Sequence, residues 1–122
     1  MDVEAVKQWC AGYPGACALT SGFPGNVLAY TVGDKRFAYF KTSAPEQWRF
    51  SIRTSPSRFL ELTGMPGMRP ARYMGRFHWV TVVDVRSVPQ AYLQELIDWS
   101  YHKAFGALSK TQQRVSGAPI TR

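Results

Sequence analysis

The chain has 122 residues, 45% of them apolar, and fifteen Lys and Arg against eight Asp and Glu give it a net charge of +7. That length suits one domain whose core needs neither disulfide nor metal staples. No run approaches the roughly 18 apolar residues of a membrane span, no basic segment followed by an apolar one marks a secretory signal, and Cys10 and Cys17 read as reduced thiols, so the expected compartment is the cytoplasm.

Residues 2–11 read as a helix, with Asp2 as its cap, Val3, Val6 and Cys10 on one stripe, and Gly12 as its stop. The turn-rich segment that follows holds one short strand, over 16–20. In VLAYTVGDKRFAYFK, two β-rich runs flank Gly33-Asp34, and Gly at the first central position is what a type II′ hairpin requires. The turn predicts Val32 opposite Lys35 and Tyr30 opposite Phe37, with Lys35 and Arg36 at the tip of a projecting ribbon. EQWRFSIRT alternates strictly. Trp48, Phe50, Ile52 and Thr54 point to the core, while Gln47, Arg49, Ser51 and Arg53 point to solvent.

Ser55 and Pro56 open a short helix that Gly64 ends. MPGMRPARYMGR, broken by Pro66, Gly67, Pro70 and Gly75, reads as an irregular loop carrying Arg69, Arg72 and Arg76. Phe77 to Arg86 reads as a central strand, because both of its faces carry valines. From Pro89 to about Leu108 a long helix presents Leu93, Leu96, Ile97, Tyr101, Ala104 and Leu108 on one stripe. Residues 109–122 are polar and aperiodic, and the expectation is a flexible basic tail after a single domain at 1–108.

Chemistry-bearing residues are few. Cys10 and Cys17, seven apart, match neither a redox pair nor a zinc spacing, so no metal or cofactor is expected. His78 lacks a cysteine or carboxylate at a suggestive spacing and reads as a packed strand residue. His102 falls opposite the apolar stripe, beside Asp98, and reads as solvated. Tyr92 and Trp99 flank that stripe as core edge. No phosphate loop is present. Nothing in these residues points to an enzyme.

The arginines carry the functional signal. They outnumber lysine ten to five, and a guanidinium grips phosphate bidentately. Six lie between Arg49 and Arg76 against Glu61 alone, a local excess of five positive charges. Arg49 and Arg53 share a strand face about 13 Å apart. Lys35, Arg36, Arg49, Arg53, Arg69, Arg72 and Arg76 form the expected nucleic-acid-binding set. The expected partner is duplex DNA, gripped by its phosphate backbone with weak sequence specificity, and the β-ribbon is the inserting element. The alternative is a small protein- or ligand-interaction domain whose basic face is incidental.

Several motifs in order resemble the MmcQ/YjbR family of double-wing DNA-binding proteins. Tyr13 to Ala16 is similar to its Leu-Pro-Gly-Ala, and Val32 to Ala38 to its Val-Gly-Gly-Lys-x-Phe-Ala. SIRTSPSRFLEL resembles its strand, proline and short helix. FHWVTV and LIDWSYHKAFGAL match its His-Trp-x-x-Val and Leu-Ile-x-x-Ser-Tyr. Gly75-Arg76 departs from the Asn-Lys that the family often carries before His-Trp. The resemblance implies an α+β single domain of frataxin-like fold, an antiparallel sheet with helices packed on one face, and DNA binding without catalysis. Frataxin-type iron handling relies on an acidic ridge, and this chain is basic there instead.

Overall fold

The computed structural model describes residues 1–23, 25–43, 49–72 and 74–116. Among them four helices, α1 (Val3–Ala11), α2 (Pro56–Thr63), α3 (Gln90–Gly106) and α4 (Lys110–Val115), accompany six strands. The strands are β1 (Ala16–Ser21), β2 (Val27–Val32), β3 (Lys35–Lys41), β4 (Phe50–Arg53), β5 (Met68–Pro70) and β6 (Trp79–Val82). They form one antiparallel sheet in the order β1-β2-β3-β4-β6-β5. The α+β class with helices on one face is therefore correct.

The helices start where the sequence caps them. The Asp2 carboxylate accepts from the Ala5 N–H at 2.8 Å, and Ser55 Oγ accepts from the Arg58 N–H at 3.2 Å. Both satisfy N–H groups that a helix start leaves without partners. The α3 stripe is buried as expected, with Leu93, Leu96, Ile97, Tyr101, Ala104 and Leu108 all in the main core. Against it the sheet presents Phe40, Phe50, Val82 and Met68 in one cross-strand row, and Tyr30, Ala38, Ile52 and Val80 in the next. Phe50 and Ile52 are fully buried, as the β4 alternation predicts, whereas Trp48 lies outside the described residues.

Four expectations need correction. First, the hairpin register slips. Val32 does face Lys35, but Thr31 pairs with Arg36 and Tyr30 with Ala38, so Phe37 is the extra residue of a β-bulge. The Ser100 hydroxyl repairs the interrupted ladder: it donates to the Phe37 carbonyl at 2.6 Å and accepts from the Arg53 N–H at 3.1 Å. Second, the irregular loop contains β5. Arg69 pairs with Thr81, and Pro70 is tolerated because β5 is an edge strand.

Third, the strand expected over 77–86 is regular only from Trp79 to Val82. Residues 75–77 make a 3₁₀ turn, and His78 adopts a left-handed backbone at φ 67°. A second 3₁₀ turn, Val85–Ser87, is started by Asp84, whose carboxylate accepts from the Arg86 N–H at 3.0 Å. Fourth, the supposed flexible tail carries α4, with Ser109 and Gln112 in a reciprocal capping box. Residues 117–122 of that tail lie outside the described residues.

Two glycines seat this C-terminal segment. A Cβ on Gly33 (φ +58°) would come within 2.8 Å of Leu108 Cδ2, and one on Gly15 (φ +72°) would collide with the Ser116 carbonyl oxygen. Leu108 thus packs against one side of the turn, whose residues Gly33 to Arg36 stay exposed, and β1 and β4 flank the hairpin strands. The hairpin is not a projecting ribbon.

Candidate nucleic-acid interface

The sheet face away from the main core has a smaller apolar cluster of Ala29, Tyr39, Ala71 and Trp79, with Val27 and Met74 packed against it. The row Ala29, Tyr39, Ser51, Thr81, Arg69 crosses five strands on this face. Ser51 and Thr81 share a hydrogen bond of 2.7 Å at its centre. Beside this floor lies a concave basin of about 590 Å³, lined by Arg36, Tyr39, Lys41, Arg49, Ser51, Arg69, Arg72 and Thr81 among others. Among the described residues its lining includes four arginines, one lysine and no carboxylate.

Each cation arrives by a different route. Arg49 precedes β4 on the outward parity of Ser51. Arg69 is the β5 residue opposite Thr81, and Arg72 follows in the turn that closes over Ala71. Arg36 is delivered by the bulge. With an uninterrupted ladder it would face Val32 on the helical side, but the inserted Phe37 turns it to the side of Tyr39. Its guanidinium there lies 5.4 Å from the Tyr39 ring centroid, a cation–π distance. Lys41 donates to the Gly25 carbonyl at 2.8 Å. Arg36, Arg49, Arg69 and Arg72 make no ion pair among the described residues, so their charge is available to an incoming anion.

The expected set therefore divides. Arg36, Arg49, Arg69 and Arg72 come together, and the sequence reading missed Lys41 as the fifth cation. Its place in an open-face row could have shown it. Lys35 stays with Val32 on the other side of the sheet. Arg76 is exposed on the 3₁₀ turn and lies 4.8 Å over the Phe77 ring, outside the basin lining. Arg53 lines a second cleft with Thr54, Ser55, Arg58, Glu95, Leu96 and Trp99. The tip residues Gly33 to Arg36 are exposed, with Lys35 and Arg36 on opposite sides of the sheet.

A family model described as YjbR matches residues 11–103. The chain belongs to the YjbR family. It is similar to protein YjbR of Escherichia coli, described as uncharacterized, in strains K12 and O157:H7. Each match is 27% identical over 117 residues, covering 94% of this chain and 97% of the relative. The crystal structure of a Deinococcus radiodurans protein with a DUF419 domain superposes with a TM-score of 0.81 at 25% identity, over 97% of this chain and 89% of that one. A Pseudomonas syringae protein shares the fold, with a TM-score of 0.68 at 15% identity over 85% of this chain and 99% of that one.

The YjbR motifs of this chain now have physical roles. Ser100 bridges the bulge, and the neighbouring Tyr101 hydroxyl donates to the Pro14 carbonyl at 2.7 Å, tying the Ser-Tyr pair to the Tyr-Pro-Gly-Ala turn. Tyr13 donates to the Asp98 carboxylate and accepts from Trp9 Nε1 at 2.9 Å. Burial, and then the Asp98 carboxylate, hold the Tyr13 hydroxyl well above the usual tyrosine range. His102 consequently meets Asp98 only through its backbone, with Nδ1 2.8 Å from the carbonyl.

In the His-Trp pair, the His78 carbonyl accepts from the Thr54 N–H at 2.9 Å and from Thr54 Oγ1 at 3.2 Å, while its ring meets Phe59 edge-on. Trp79 anchors the open-face apolar cluster. No group of three His, Cys, Asp or Glu among the described residues could hold a metal ion. No helix among them is long and apolar enough to cross a membrane.

Proposed function

We propose that this YjbR-family chain binds DNA by its phosphate backbone, through the open-face basin rather than through a β-ribbon. The observation that carries this reading is the convergence of Arg36, Lys41, Arg49, Arg69 and Arg72 on one concave surface with no carboxylate among the described residues. Five like charges held close together repel one another, and a polyanion relieves that repulsion while releasing its own counterions. From β3 to β5 the floor spans three interstrand steps, about 14 Å at 4.8 Å each. That width suits a ridge of sugar and phosphate. The floor hydroxyls of Ser51 and Thr81 are engaged with each other, and Tyr39 is covered by Arg36, so neither base edges nor base faces find a dedicated reader.

Weak sequence dependence follows from that geometry. The two free cysteines, Cys10 and Cys17, accord with a reducing cytoplasm. Fluorescence anisotropy of a labelled random duplex, read from low to physiological salt, tests the proposal. Non-specific dissociation constants on the order of 10⁻⁴ to 10⁻⁶ M are expected near physiological salt. Absence of binding at low salt would sink the DNA reading and favour a small interaction domain.

A further inference from the structure

A second cleft, of about 280 Å³, lies where the end of β4 and the start of α2 meet α3. Its lining chemistry differs from that of the basin. Leu96, nearly fully buried, forms an apolar floor, and the Trp99 indole stands beside it 40% exposed. Arg58 is held in place: it donates to the Tyr92 hydroxyl at 3.0 Å, lies 5.5 Å over the Tyr92 ring and reaches Glu95 at 3.6 Å. Arg53 has no ion pair or side-chain hydrogen bond among the described residues, although its backbone is pinned by Ser100.

We infer that this cleft binds a small planar aromatic monocarboxylate, with Arg53 gripping the carboxylate and Trp99 flanking the ring. Charge sets the valence. Two guanidinium groups and the Glu95 carboxylate leave one net positive charge, which suits a monoanion and disfavours a polyphosphate. Shape sets the size, since the cleft sits at the small end of ligand pockets, roughly 300–1,000 Å³. The exposed indole sets the ring, because an aromatic face against Trp99 over Leu96 removes apolar surface that is otherwise wet. A bidentate Arg–carboxylate pair then fixes orientation. Arg53 lies outside the basin lining, so this site stands or falls independently of DNA binding.

Benzoate is the probe, titrated into the full chain with the Trp indole N–H signals followed by NMR. One indole signal, absent from Trp99→Leu, should shift saturably at concentrations on the order of 1–10 mM, an affinity proper to so small a ligand. Neutral benzamide and ring-free acetate should each bind at least roughly tenfold more weakly. Arg53→Met should abolish the shift while leaving the remaining amide spectrum folded. Arg53→Lys keeps the charge without the fork and should weaken binding roughly tenfold. No saturable shift, an equal response to acetate or benzamide, or undiminished binding in both Arg53 variants would overturn the assignment.

Discussion

Replacing Arg69 by Ala removes one of five basin cations at an exposed edge-strand position, where the change costs the fold little. With all five engaged, counterion release predicts a slope of log K against log salt of about −4.5, or a roughly 500-fold loss of affinity between 50 and 200 mM salt. Four cations give a slope of about −3.6 and a loss of roughly 150-fold over the same interval. Arg36→Ala, Arg49→Ala and Arg72→Ala should each do the same, and all duplex sequences should weaken alike. Arg53→Ala and Lys35→Ala are the discriminating controls. They carry identical formal charge but lie in the other cleft and on the other side of the sheet, so the wild-type slope should persist. Anisotropy titrations at four or more salt concentrations give the slopes directly. If Arg53→Ala flattens the slope as much as Arg69→Ala, the basin is not the contact surface and net charge alone governs binding.

Ser100→Ala leaves the Phe37 carbonyl and Arg53 N–H buried without their shared partner and should destabilise the fold by about 1–3 kcal/mol, read as a shift in urea midpoint; an unchanged midpoint would mean the ladder closes without the hydroxyl. Gly33→Ala puts a Cβ at positive φ against Leu108 and should cost about 1–2 kcal/mol by the same measurement, whereas Gly64→Ala, at φ −86°, should cost less. Burial pushes the Cys10 thiol up from 9.0 to about 12, so the folded chain holds that proton more tightly than the unfolded one. Stability from this group is full below about pH 9 and falls by about 1.4 kcal/mol per pH unit as pH rises toward about 12. Tyr13 adds in the same direction above about pH 10. Denaturation of the wild type and of Cys10→Ala across this range should show a shallower decline in the variant.

Much of the fold was legible because local chemistry specified it. Gly33-Asp34 could only turn, Asp2 and Ser55 could only cap, and Phe50 and Ile52 alternate with polar neighbours. What failed depends on distant partners. The bulge at Phe37 rests on a hydroxyl 63 residues away in sequence, which no property of the hairpin itself announces. β5 has three residues, Pro among them, and exists because β6 offers it a ladder. The long valine strand is cut short at one end by the left-handed His78, whose carbonyl meets Thr54, and at the other by the 3₁₀ turn that Asp84 starts. α4 is too short to form alone and, Val115 apart, polar, so its capping box and its contact with Gly15 are what secure it. Among the arginines, charge density was readable along the chain. Their division between basin, cleft and outer surface was not, since strand parity and one inserted residue decide it.

The seats on Gly15 and Gly33 also set an order of events during synthesis. Both glycines leave the ribosome well before the residues that pack against them, Ser116 and Leu108. The strands β2 and β3 joined at Gly33 can pair as soon as they emerge, whereas Leu108 and Ser116 reach the two glycines only later. A nascent chain halted before Leu108 therefore lacks that side chain against Gly33, and one halted before Asp98 leaves Tyr13 without its α3 partners Asp98 and Tyr101. The segment 108–116 thus closes contacts whose other halves were made 75 and 101 residues earlier.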